Sequence, residues 1–337
     1  MPDAILPTAE LLGRLSVEDL PRLGEFSGVV NRRVCDRHPD RRESSEQLAL
    51  RAIADCLRKS DYAAAELDVV ISASVSRTLD NGTHSIAPSM ALRLGDAIGA
   101  RRARHFDVGN ACAGMMTGIL ILDRMIKAGV VSNGLVVSGE HITPVAETAV
   151  REITTLRSQQ IAALTVGDAG AAVVVDGHGD DDDEIHYIEL TTLADGAEQC
   201  FGMPSDRSCG IALYTDSNAM HDHRWCLQGL DRLGRFLETT GRTFESEKFD
   251  YCIYHQFGEP AMSSLREMTG AYFDVTMPPA LDSLREFGNT ASTSHFVALY
   301  EHLAQGNIAK GSKILMVPMA SGIVNGYLST TISRLEA

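Results

Sequence analysis

Cys112 is the residue of this chain best placed for covalent chemistry. It lies in Gly109-Asn110-Ala111-Cys112-Ala113-Gly114, between a strand-like run at His105 to Val108 and a long apolar helical run ending near Ala128. Small neighbours permit a sharp turn, and a turn here puts the thiol at a helix N-terminus, where unpaired N–H groups and the positive dipole end favour a thiolate. The other reading of such a cysteine is a small buried hydrophobe. Two later segments supply matching residue types. His255 closes the strand-like Tyr251 to Gln256, and Asn289 opens a small-residue helix within Glu286 to Ser294. Strand ends and helix starts are where α/β folds gather their sites. Alone, a strand-end His is readily structural and Gly-Asn is a common turn. Beside Cys112 they point to nucleophilic catalysis.

The elements that must position these residues alternate. A helix is expected over Glu43 to Lys59, where apolar residues recur at helical spacing behind a Ser-rich start. Leu67 to Val75 reads as a buried parallel strand, Ala87 to Ala100 as a helix with Pro88 near its first turn, and Gly134 to Ser138 and Ala169 to Val175 as further strands. Asp176 to Glu184 is acidic and glycine-containing without apolar periodicity, so it reads as a solvated connection; it does not match a calcium-binding EF-hand loop. Beyond it the alternation repeats: helix Arg224 to Thr240, strand Phe249 to Tyr254, helices Gly258 to Thr269 and Thr290 to Gln305, and strand Lys313 to Pro318. The expectation is an α/β protein of two similar halves, residues 1–180 carrying the cysteine and 181–337 carrying His255 and Asn289.

Composition excludes several classes. With 337 residues the chain is long enough for a large core, and 44% hydrophobic against 22% charged residues is the balance of a globular enzyme rather than a disordered chain. Lys and Arg number 30 against 45 Asp and Glu, a net charge of −15, which argues against nucleic-acid binding. Seven cysteines without a CxxC pair support neither a disulfide frame nor a zinc ribbon, and suit a reducing cytoplasm. The opening Met-Pro-Asp-Ala-Ile-Leu-Pro has no basic n-region and no long apolar core, so no signal peptide is read there. Ala113 to Val131 is interrupted by Asp123, Arg124 and Lys127, too polar for a membrane span. His221-Asp222-His223 lacks a spaced third ligand and reads as a polar loop. No metal or cofactor is expected.

Six ordered segments make the chain resemble the β-ketoacyl-acyl carrier protein synthase III family of the thiolase superfamily, from about Gly28 to Thr330. They are Phe106 to Gly114 around the cysteine, Gly139-Glu140, Gly167 to Ala172, His255-Gln256, Gly288-Asn289-Thr290, and Ser321-Gly322 with Gly326. The resemblance implies a thiolase-like fold, two βαβαβ-type halves in a layered αβαβα body. It implies that Cys112 accepts an acyl group from an acyl-CoA or acyl carrier protein thioester, with the backbone amides of Cys112 and Gly322 as the oxyanion hole. His255 and Asn289 would stabilise the enolate of a malonyl-type thioester. It also implies a homodimer in which the Thr78 to Pro88 loop reaches the neighbouring acyl pocket.

Some positions depart from the family pattern. Where the family carries a Trp and an Arg that clamp the coenzyme A adenine, this chain has Pro21 to Arg33 without tryptophan; Phe26 either stacks on adenine or is core. Phe257-Gly258-Glu259-Pro260 replaces the usual Ala-Asn after the catalytic His, which makes Phe257 a second substrate-contact candidate, and Met319 to Gly326 is less glycine-rich than usual. These departures suggest a specialised relative, in polyketide or other secondary metabolism. A 3-hydroxy-3-methylglutaryl-CoA synthase would need a glutamate base after the strand Val69 to Ser74, and no carboxylate occurs between Asp68 and Asp80. The alternatives are transfer of the Cys112-bound acyl group to an oxygen or nitrogen acceptor with His255 as base, and a non-catalytic partner subunit. Docking of an acidic carrier protein on so acidic a chain calls for a local basic patch; Arg151, Arg157, Arg224, Arg232 and Arg235 are candidates, or else form a salt-bridged solvated face.

Overall fold

The computed structural model describes residues 1–17, 27–36, 38, 43–80, 83–178, 183–216 and 223–337. Val69–Ser72 (β1) is buried along its whole length, as expected of a strand covered on both faces. It pairs in parallel with Arg104–Asp107 (β2) and with Asn133–Glu140 (β3), and β3 pairs antiparallel with Ala169–Asp176 (β4). The sheet order is β2-β1-β3-β4.

The second sheet uses the same grammar. It comprises Glu184–Thr192 (β5), Tyr251–Tyr254 (β6), Ser312–Val317 (β7), the short Met319–Ala320 (β8) and Val324–Ile332 (β9). β6 and β7 are parallel, β7 and β9 antiparallel, and β9 pairs antiparallel with β5. A parallel bridge from Cys252 to Ala280 stands beside β6 as β2 stands beside β1.

Side-chain alternation sets the layers. In β1, Val69 and Ile71 join the central core while Val70 faces outward to Leu48–Leu57 territory. In β6, Ile253 points to the same central core and Cys252 and Tyr254 to the opposite face. Between the sheets lie two helices, Gly114–Lys127 (α3) and Ser294–Ala304 (α6), whose Met115, Ile119, Leu122, Ala298 and Leu299 pack on residues of both sheets. Ser45–Lys59 (α1) and Met90–Ile98 (α2) cover the outer face of the first sheet, and His223–Thr239 (α4) with Glu259–Phe273 (α5) covers that of the second. The result is the expected succession of helix, sheet, helix, sheet and helix layers. Local signals start the outer helices: the Ser44 side chain accepts from Gln47 N–H at 3.2 Å and that of Ser89 from Leu92 N–H at 3.2 Å.

Several boundaries differ from the sequence expectation for physical reasons. The strand expected over Leu67 to Val75 stops at Ser72, because the N–H groups of Val75 and Ser76 turn inward to donate to Glu140. The helix expected over Thr290 to Gln305 begins as a 3-10 turn, Ala291–Thr293, and becomes α-helical at Ser294. The long antiparallel pair β5 and β9 and two short antiparallel pairs, Ile5–Pro7 with Asn31–Arg33 and Cys200–Pro204 with Ile211–Thr215, were not expected from the sequence.

Close approach of α1 to the first sheet requires a missing side chain at Gly139, where an added Cβ would lie 1.9 Å from the Ser45 carbonyl oxygen and 2.7 Å from Ala49 N. Gly109, by contrast, has no atom of the described residues within 4 Å of such a Cβ. Gly139→Ala is therefore expected to lower the unfolding midpoint far more than Gly109→Ala in thermal denaturation followed by circular dichroism; equal midpoints would show that α1 can retreat without cost.

Candidate active site

The turn between β2 and α3 holds Cys112. Ala111 adopts a left-handed conformation, φ 45°, which costs a residue with a Cβ about 1–3 kcal/mol. Surrounding contacts hold it: Asn110 Nδ2 donates to Thr117 Oγ1 at 2.8 Å, and Thr117 Oγ1 donates to the Ala113 carbonyl at 2.9 Å. At Gly114 an added Cβ would sit 2.7 Å from the Ala73 carbonyl oxygen, so only glycine lets the helix start this close to β1.

The second half repeats this turn. Ala291 has φ 52° at the entry to α6, and Ser292 occupies the place that Cys112 occupies before α3. The two turns pack against each other but serve different ends. Cys112 is half-buried among Ala113, Ala320, Val324 and Leu190. Ser292 is buried, its Oγ 2.7 Å from both Glu140 Oε1 and Ser138 Oγ. Glu140 is fully buried and also accepts from the Val75 and Ser76 N–H groups and from the Ser76 and Ser138 hydroxyls, at 2.9–3.0 Å. Burial still raises its pKa, opposed by those hydrogen bonds. Neither Ser292 nor the convergence on Glu140 was anticipated; Gly139-Glu140 was legible only as a motif.

His255 follows β6. Its backbone N–H donates to the Val317 carbonyl at 3.1 Å, and Gln256 locks the turn: its Oε1 accepts from Ser283 and Leu284 N–H, and its Nε2 donates to the Tyr254 carbonyl. The imidazole is buried, with no partner for Nδ1 among the described residues. Burial, and secondarily the nearby His295, push its pKa down to about 3. The ring is therefore uncharged at neutral pH. Phe257 is partly buried, with its ring centroid 5.8 Å from that of His255.

Asn289 is stapled to the segment before β4. Its N–H donates to the Thr165 carbonyl at 2.9 Å and its carbonyl accepts from Gly167 N–H at 3.0 Å. Its Oδ1 accepts from Ala291 N–H at 3.0 Å, which fixes Nδ2, a donor, as the free end of the amide. Gly322, φ 127°, follows β8, and β8 packs on the Cys112 turn. Three connections thus converge: the Cys112 turn, the 289–293 turn against it, and the β7–β8 segment, whose Val317 holds His255 and whose Ala320 touches the surroundings of Cys112. Phe26 lies outside the described residues.

Burial raises the Cys112 thiol above its ordinary pKa, with lesser contributions from Cys200 and Glu140 and an opposing one from its own backbone N–H. Cys200 is a neighbour unforeseen from sequence; its Sγ accepts from Ser321 Oγ at 2.9 Å. A cavity of about 640 Å³ is lined by Arg232 and Phe236 of α4 together with Leu190 and Tyr327, and of these Leu190 also packs on the cluster that holds Cys112. A second, of about 360 Å³, borders Gly109 and Ala111 together with Arg77, His84 and Ile86. Of the arginines considered for a basic patch, Arg235 is paired with Asp231 at 2.9 Å, Arg151 donates to the Cys209 carbonyl, and Arg224 lies over Trp225.

Among the described residues one group has metal-ligand geometry, Cys35, His141 and Asp168, with ligand atoms within 4.8 Å. Its carboxylate is already occupied: Asp168 Oδ1 accepts from Ile142 and Thr143 N–H, and Oδ2 from Cys35 N–H and Thr143 Oγ1, all at 2.7–2.8 Å. Those bonds make Asp168 a structural carboxylate. His221 and Asp222 lie outside the described residues.

His295 is also buried, and its pKa is pushed down by burial to about 4. Because both imidazoles titrate in the fold below their ordinary 6.5, the unfolded chain takes up their protons first as pH falls. Their contribution is neutral above about pH 6.5 and increasingly destabilising below it, by about 2 kcal/mol per ring near pH ~5. Urea midpoints at neutral pH and near pH ~5 should converge in His295→Phe relative to the unmodified protein; an identical drop in both would contradict the neutral buried ring.

Comparison with known proteins places the chain. The model for 3-oxoacyl-[acyl-carrier-protein (ACP)] synthase III matches residues 106–196, and its C-terminal counterpart matches residues 240–330. The β-ketoacyl-[acyl-carrier-protein] synthase III of Clostridium novyi is 25% identical over 97% of this chain and 94% of its own length. Synthase III 1 of Bacillus cereus is 26% identical over 90% of this chain and 87% of its own. Among solved structures, a Cys-to-Ser variant of Xanthomonas campestris OleA with bound lauric acid and lauroyl-CoA superposes with a TM-score of 0.82 at 21% identity, over 98% of this chain and 96% of that one. FabH of Pseudomonas aeruginosa superposes with a TM-score of 0.79 at 19% identity, over 100% and 96%. These matches show a thiolase-like fold. With both family models aligned across the elements that carry Cys112, His255 and Asn289, the chain belongs to the 3-oxoacyl-[acyl-carrier-protein] synthase III family of condensing acyltransferases in the thiolase superfamily.

Proposed function

We propose that the protein loads an acyl group from a coenzyme A or carrier-protein thioester onto Cys112 and condenses it with a malonyl-type thioester by decarboxylative Claisen chemistry, in fatty-acid or secondary-metabolite synthesis in the cytoplasm. The observation that carries this reading is the polarity of the two partners. His255 is held uncharged, and the Asn289 amide oxygen is engaged by the Ala291 N–H, which leaves the amide nitrogen as the group to donate. Both are neutral donors, which is what a developing enolate oxygen needs.

The steps follow. Cys112 sulfur attacks the donor carbonyl, the leaving thiolate takes up the thiol proton, and the backbone N–H groups of Cys112 and Gly322 receive the oxyanion. The first turn of α3 supports the negative charge on sulfur against the burial that raises the thiol. The carboxylate of the second substrate then leaves as carbon dioxide, its bonding pair passing into the thioester to form an enolate that accepts from His255 Nε2–H and Asn289 Nδ2–H. The enolate carbon attacks the acyl carbonyl, a carbon–carbon bond forms, and Cys112 is expelled. Transfer to an oxygen or nitrogen acceptor would instead need His255 to take a proton, and a ring with its pKa near 3 is a weak base. Phe257, beside the His255 ring, is the substrate-contact candidate on that side. A homodimer accounts for Ile86, which is 90% exposed on the loop that borders the second cavity. Among the described residues no helix is long and apolar enough to cross a membrane.

Incubation with an acyl donor and labelled malonyl thioester is expected to release carbon dioxide and yield a β-keto product, with Cys112→Ala inactive; product formation by that variant at the original rate would overturn the reading. An ester or amide product without carbon dioxide would establish the acyl-transfer alternative. Asn289→Asp, which replaces the donor by a carboxylate, is expected to slow carbon dioxide release by about 100-fold while intact-protein mass spectrometry still finds the acyl adduct on Cys112.

A further inference from the structure

We infer that His295 is a positioning residue for His255, setting the tilt of its ring so that Nε2 faces the reacting carbonyl. The inference rests on the condensing role given to His255 above.

The Val317 carbonyl accepts from two donors, the His255 backbone N–H at 3.1 Å and the His295 Nε2 at 3.1 Å. A carbonyl only accepts, so Nε2 carries the proton of His295 and its Nδ1 holds a bare lone pair. The same acceptor therefore fixes the backbone of one histidine and the side chain of the other. The two rings lie 5.8 Å apart between centroids at 25°, and Phe257 stands at 5.8 Å and 28° from the His255 ring. His255 is thus flanked by two flat neighbours that limit its rotation.

His295 has no accessible surface, and its Nδ1 has no partner among the described residues. A buried polar atom left without a hydrogen bond is costly, so an apolar ring would pack at this place more cheaply unless the Val317 bond had a use. The Nδ1 of His255 is also buried, with no partner among the described residues, so the proton of that ring is cheapest on Nε2, where a substrate oxygen can accept it. Moreover, His295 sits in the first turn of α6, directly after the 291–293 turn that orients Asn289. One stretch of seven residues, 289–295, consequently sets both proposed enolate donors, Asn289 through its own backbone and His255 through His295.

The test separates the half-reactions in His295→Phe, which keeps a flat ring but loses the donor, and His295→Gln, which keeps a donor for Val317. Acylation of Cys112 by an acyl thioester is followed by intact mass, and carbon dioxide release is followed from malonyl thioester added to pre-acylated enzyme. In His295→Phe, acylation and the malonyl KM should stay within about twofold while the rate of carbon dioxide release falls by ~10-fold or more, with partial recovery in His295→Gln. The imidazole resonances of His255 should shift in both variants. Unchanged carbon dioxide release, or equal loss of acylation and release with a lowered melting temperature, would overturn the inference. If the unmodified protein itself neither acylates nor decarboxylates, the functional reading has failed; unchanged His255 resonances in both variants would then still refute the positioning role on its own.

Discussion

The buried carboxylate of Glu140 is the interaction on which the site depends. A carboxyl group taken out of water is costly unless hydrogen-bond partners replace the solvent. Here the donors come from the loop after β1, from β3, and from the turn that precedes α6. Satisfying that carboxylate draws the two sheets' connections to one point and brings the Cys112 and Ser292 turns together. The absence of a side chain at Gly114 then lets α3 begin beneath the Ala73 carbonyl, with Ser292 as the next neighbour. Cys112 and Asn289 are spaced from beneath, by polar contacts that no substrate touches.

Above that polar base the site is apolar and its titrating groups are neutral. Burial raises the thiol and lowers both imidazoles, so each is pushed toward its uncharged form. Low polarizability strengthens every remaining hydrogen bond. Charge appears in such a place only when the reaction creates it, and the fixed donors are already aimed at it.

Much of this was legible in the residues. The run of small side chains around Cys112 announces a turn that few other segments could make, and the strand-end His255 and Gly288-Asn289 gave the other two members of the set. The alternating core elements were readable because their apolar faces repeat at helix or strand period. What escaped lies in pairing between distant parts of the chain. β5 and β9 run side by side from Thr192–Val324 to Glu184–Thr331, yet neither keeps a clean alternation of polar and apolar residues and no local turn marks the partner. Ser292 is one serine among several small residues until Glu140 is known to lie beneath it, and His295 reads as one more helix residue until Val317 is set against it. Helix ends shifted where caps, not periodicity, decide the first residue, as at Ser44 and Ser89.

The central core draws Val69 and Ile71 from the first sheet and Ile253, Ile314 and Leu328 from the second onto the same pair of helices. Each sheet alone would leave one face of α3 or α6 in water, and the nucleophile follows a strand of the first sheet while His255 follows a strand of the second. Contacts between segments as distant in sequence as those of Cys112 and His255 form late in folding, because long loops must close before they are rewarded. Turnover is therefore a strict reporter of complete assembly: during refolding it should return after the helical signal, and a chain halted with one sheet formed would hold a cysteine without chemistry.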